Sequence, residues 1–155
     1  MNKLNMTFSI GLFVGFVLLP FSVKGEILAQ CYNLSGYVYY LPTKDAPAAW
    51  SDEKTPGITY LLSIDGNKVD IIEDRDYPLN SPNSKITSWS AIAHGAEISI
   101  RSNSRQVIIV DVNFKQKYLY EIYTFDLKNK MMYLSVHDLG SKKWSRVGSY
   151  IASCH

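Results

Sequence analysis

Gln106-Val-Ile-Ile-Val-Asp-Val-Asn-Phe114 is followed by Lys115-Gln-Lys117 and then by Tyr118-Leu-Tyr-Glu-Ile-Tyr-Thr-Phe125. Two β-branched and aromatic runs flank a short cationic turn, which is the pattern of a β-hairpin. A three-residue loop at Lys115, Gln116 and Lys117 sets Phe114 opposite Tyr118, Val112 opposite Tyr120 and Val110 opposite Ile122. The other face then pairs Ile109 with Tyr123 and Asp111 with Glu121. A slip of one residue would exchange the two faces, so the pattern must choose. The even-numbered row is the more apolar, and it is the expected core.

Similar runs surround this hairpin. Cys31 to Tyr40 reads as a first strand with Leu34, Val38 and Tyr40 on one face, and Ile58 to Ile64 alternates as a second. Asp65-Gly66 is a strong hairpin signal, because glycine accepts the positive φ of a primed turn. A loop of those two residues pairs Leu62 with Val69 and Tyr60 with Ile71. Glu97 to Arg101, Met131 to His137 and Trp144 to Cys154 complete the set, and no helical period of useful length interrupts them. The expected fold is all-β, a single-domain antiparallel up-and-down meander of about eight strands closed into a small barrel; a two-sheet β-sandwich is the alternative. A further short strand around Ile86 to Trp89 would change that count.

The two cysteines support closure. Cys31 starts the first strand and Cys154 ends the last, where an even-stranded closed meander brings its ends together. They are expected to form a disulfide, which in turn implies an oxidising compartment.

The amino terminus points the same way. Lys3 precedes an apolar run from Phe8 to Phe21, too short to span a bilayer comfortably, and small residues follow. Residues 1–25 read as a cleaved signal peptide and 26–155 as one β domain, with cleavage after Gly25 or, second, after Ala29. The mature chain is then expected to lack a membrane span and to reside in a bacterial periplasm or outside the cell. An uncleaved anchor competes with this reading, as does a lipoprotein with Leu28-Ala29-Gln30 before Cys31; N-terminal sequencing of the exported protein separates them. Lys3 and Lys24 are the only charged residues of that leader, so the 16 basic residues of the whole chain fall to 14, matching the 14 acidic ones. A neutral chain lacks the basic excess a general nucleic-acid binder needs.

No nucleophile elbow, phosphate loop or zinc-protease motif is present, and His94, His137 and His155 have no ligand spacing, so no catalytic residue, metal or cofactor is expected. Asp111 and Glu121, opposed on the outer face, are the one carboxylate pair worth testing for acid–base work. In the meander the long loops 41–57 and 73–94 share one mouth with Lys115–Lys117. They gather Trp50, Tyr77, Trp89 and His94 near Lys115, Lys117, Lys142 and Lys143, either to cap the core or to bind. The expectation is a non-enzymatic exported protein that binds a protein partner through this rim. The alternative is a carrier of a small apolar or aromatic ligand in the barrel, with Tyr40, Tyr60, Tyr118 and Tyr120 facing inward. Such a carrier would be lipocalin-like in architecture only, since Ser35-Gly36-Tyr37-Val38-Tyr39 lacks the tryptophan that family places after its glycine. A hydrolase is a distant third.

Overall fold

The structure, a computed structural model, describes residues 25–75, 87–104, 106–140 and 145–155. These form β1 (Glu26–Tyr40), β2 (Ala49–Asp65), β3 (Lys68–Arg75), β4 (Thr87–Ser90), β5 (Glu97–Asn103), β6 (Val107–Phe114), β7 (Leu119–Asp126), β8 (Met131–Asp138) and β9 (Arg146–Cys154). All nine belong to one antiparallel sheet in the order β4-β3-β2-β1-β9-β8-β7-β6-β5, curled into a half-barrel. The first and last strands pair, with Cys31 opposite Cys154, and the two cysteines form a disulfide.

The ninth strand is β4, the short piece the sequence left open. Following the antiparallel pairings from β1 in both directions makes β4 and β5 run the same way. They stand at the two ends of the sheet order and are joined in the chain by the turn at 91–95. The parity that brings the termini together therefore survives the extra strand. The seam of the half-barrel lies between them, and β3 and β5 approach each other across it.

The core is the inner face of this sheet, with Tyr123, Phe125, Leu62, Ile71, Met132 and Val38 fully buried. In β1 the buried row changes phase, from Ala29 and Cys31 to Leu34 and Val38. The change falls at Asn33, whose φ of 60° marks an irregularity in the β1–β2 register. The expected loop 41–57 shrinks to 41–48, because β2 begins at Ala49 and pairs with the second half of β1. The expected loop 73–94 is likewise cut into by β3, which continues to Arg75, and by β4. At the Asp65-Gly66 signal the loop is Gly66-Asn67, so Ile64 meets Val69 and Leu62 meets Ile71. That shift of two residues keeps every side chain on its expected face.

The β6–β7 hairpin departs from expectation. Lys115–Lys117 coil into a 3₁₀ turn and Tyr118 follows in the left-handed region, at φ 50° and ψ 34°. Four residues, not three, separate the paired Phe114 and Leu119. An even loop reverses the parity of β7, so Val110 faces Tyr123 and Val112 faces Glu121. Ile108, Val110, Val112 and Phe114 are buried as expected, but their partners are Leu119, Glu121, Tyr123 and Phe125. Tyr118, Tyr120 and Ile122 turn to the outer face. Tyr60 is buried and Tyr40 is partly buried against the core, as the inward reading required.

Candidate functional site

The rim residues divide into two groups. Trp89 of β4 stacks on His94, with ring centroids 4.7 Å apart, and lies 5.4 Å from the Phe114 ring. The Lys117 ammonium is 5.4 Å from the centre of that same Phe114 ring. Lys115 pairs with Glu97 at 2.7 Å, both side chains well exposed, an arrangement of little energetic weight. Trp89, His94, Lys115 and Lys117 are thus brought to one end of the seam. Trp89 is half-buried against the core there and caps it. Trp50 stands apart on β2, next to Tyr39 on the outer face and 72% exposed. Tyr77, Lys142 and Lys143 lie outside the described residues.

Trp89→Ala is therefore expected to lower stability by about 2 kcal/mol, short of the cost of a fully buried tryptophan. Trp50→Ala should change it by less than about 0.5 kcal/mol. Urea denaturation of the two variants makes the comparison, and equal losses would contradict the division.

The rim also carries an apolar platform absent from the sequence-derived set. Tyr118 is 72% exposed and Leu139 58% exposed, and the Leu139 N–H donates to the Tyr118 carbonyl at 3.0 Å. Gly140 lets the two loops touch, since a Cβ there would fall 1.8 Å from the Lys117 carbonyl oxygen. A bulky residue in the left-handed region is uncommon and costs on the order of 1 kcal/mol or more. Here it aims the phenol outward. The even-numbered pattern of the hairpin hid this, because it assigned Tyr118 to the core.

A second surface lies on the outer face. Trp50, Tyr39, Val147, His137 and Tyr120 are successive cross-strand neighbours across β2, β1, β9, β8 and β7. With Tyr37, Ser135 and Ser149 the first four of these line a trough of about 450 Å³. The i, i+2 spacing of Tyr37 and Tyr39 around buried Val38 was the available signal for these rings. Beyond Tyr120, Arg101 binds Asp111 at 2.8 Å and Tyr120 donates to Asp111 at 2.9 Å.

Asp111 and Glu121 are not a pair: Asp111 sits opposite Ile122 on the outer face and Glu121 opposite Val112 on the inner one. Reversal of β7 removes the acid–base geometry. The inner face instead holds two carboxylate networks. Glu53 accepts hydrogen bonds from Tyr40 and Tyr150 and pairs with Arg146 at 3.2 Å. Burial pushes the Glu53 carboxyl up, but those two hydroxyls and the Arg146 charge outweigh it and hold it below its ordinary value. Glu121 accepts from Tyr123 at 2.9 Å. Burial raises the Glu121 carboxyl to about 7; the Tyr123 bond and Arg146 oppose this, and the charges of Glu73 and Asp138 add to it. Both networks are internally paired and occupy space inside the sheet.

Among the described residues no group of three or more His, Cys, Asp or Glu is arranged to hold a metal ion. Nor, among them, is any helix long and apolar enough to cross a membrane. No protein-family model, curated protein or solved structure matches this chain.

Proposed function

We propose that this chain is an exported, non-enzymatic binding protein that engages a protein partner through its loop-bearing rim. The observation that carries the reading is the Tyr118–Leu139 platform, two large apolar side chains held in the open by interlocked loops. Tyrosine is a frequent interface anchor, and loops held on a rigid sheet are where binding surfaces usually sit. Lys117 lies next to Tyr118 in the chain and would favour an acidic group on the partner. The inner face, where a carried ligand would sit, is filled by Tyr123, Phe125, Leu62 and Met132 together with the Glu53 and Glu121 networks. That filling weighs toward the rim.

Export is supported by the apolar leader and by the Cys31–Cys154 bridge, which an oxidising compartment preserves. Cleavage after Gly25 would leave β1 whole, whereas cleavage after Ala29 would remove a buried residue paired with Leu62.

The test compares wild-type protein with the Tyr118→Asn, Leu139→Ser double variant as bait for proteins of the same compartment. Asparagine tolerates the left-handed backbone, so the ring is lost without the turn. A partner captured by the wild type and lost from the variant, at unchanged melting temperature, is the expected result. A partner retained by the variant would refute the rim. Gly140→Ala, which forces the two loops apart, should weaken the same interaction.

A further inference from the structure

We propose that the outer-face trough along β9 binds a linear, uncharged oligosaccharide. This site is separate from the rim platform and does not depend on it. The strands β1 and β8 lie on either side of β9, so the walls of the trough stand about 9.6 Å apart, two strand spacings. Its floor is made by the small outward side chains of β9, Val147 and Ser149. One wall carries Tyr37, Tyr39 and Trp50, and the other Ser135 and His137. An extended chain fits lengthwise between them.

The chemistry of the lining selects the ligand. No Lys, Arg, Asp or Glu lines the trough, so an ionic ligand would find no counter-charge there. Tyr37 and Trp50 are 65% and 72% exposed, which leaves large ring surfaces in water. The Tyr39 and Trp50 rings are 5.0 Å apart and tilted by 48°, so they do not cover each other face to face. A pyranose presents an apolar face of C–H bonds that stacks on such rings. Its perimeter hydroxyls donate and accept, matching the Ser135 and Ser149 hydroxyls and the His137 imidazole. A peptide strand is a poorer occupant, because the backbone groups of β1, β9 and β8 are already engaged in continuous ladders and leave no edge to extend.

Isothermal titration of the disulfide-bonded protein with cellohexaose and fully N-acetylated chitohexaose, and with an oligogalacturonate as the anionic control, tests the assignment. At least one neutral probe should bind with a Kd of about 1 mM or tighter, and the anionic one should not. Trp50→Ala and, independently, Tyr37→Ser should each weaken that binding roughly tenfold or more at unchanged melting temperature. Tyr118→Asn should leave it unaltered, which keeps this result distinct from the rim experiment. Three outcomes overturn the proposal: no response to either neutral probe, neutral binding that survives both substitutions, or a captured protein sensitive to Trp50→Ala without any sugar response.

Discussion

The Cys31→Ala, Cys154→Ala double variant is expected to unfold with a free energy lower than that of the parent by about 4 to 5 kcal/mol. The bridge joins residues 123 apart in sequence, and closing so long a loop lowers the entropy of the unfolded chain by that amount. In the fold it ties β1 to β9, the pairing that joins the two ends of the meander. Both cysteines are buried, and alanine leaves a small additional void, so the loss should not fall below the entropic estimate. Equilibrium urea denaturation of the oxidised parent and the double variant gives the difference directly. A loss under about 1 kcal/mol would mean that the β1–β9 ladder holds without sulfur.

Glu121 supplies the next largest effect, and it has a definite pH window. Its carboxyl is raised from an ordinary 4.5 to about 7 in the folded protein, principally by burial. A raised acid binds its proton more tightly when folded, so stability is greatest below the ordinary value. It then declines as pH rises from about 4.5 to about 7. Above that range the charged Glu121 costs about 3 kcal/mol at most. Glu121→Gln removes the titration while keeping an oxygen to accept the Tyr123 hydroxyl. Relative to the parent, this variant should gain on the order of 3 kcal/mol in unfolding free energy between pH 5 and pH 8. A difference between the two proteins that does not vary with pH would place Glu121 in water.

The same residue explains why part of the fold escaped the sequence. Strand positions were legible wherever one face was plainly more apolar: Ile108, Val110, Val112 and Phe114 form an unbroken apolar row, whereas the alternate row of Val107, Ile109, Asp111 and Asn113 is only half apolar and only partly buried. On β7 both faces are mixed. One offers Leu119, Glu121, Tyr123 and Phe125, and the other Tyr120, Ile122 and Thr124. A carboxylate in the first set tips the pattern toward the second. What reversed it was a single extra loop residue, Tyr118, in a backbone region that tyrosine seldom adopts. The Asp65-Gly66 turn was also misplaced, but by an even count, and its faces were unharmed.

The disulfide was legible for a different reason: closure of a meander and the placement of two cysteines at its ends are both properties of chain order. The rim was partly legible. Loop order brought Trp89 and His94 to Lys117 through Phe114, yet Trp50 proved to be a strand residue, because Ala49–Thr55 pairs with the second half of β1 and the following Pro56 and Gly57 fall at the irregularity in that ladder. Surfaces built by outward residues of several strands, such as the trough, depend on register across four strands at once, and a local pattern does not carry that.

Inter-strand nuclear Overhauser contacts between β6 and β7 test the central claim most directly, because the phase of β7 places Glu121 and Tyr123 inside and frees Tyr118 for the rim. Backbone cross-peaks should link Val110 with Tyr123 and Val112 with Glu121. Cross-peaks linking Val110 with Ile122 and Val112 with Tyr120 would return Tyr118 to the core row and contradict the account.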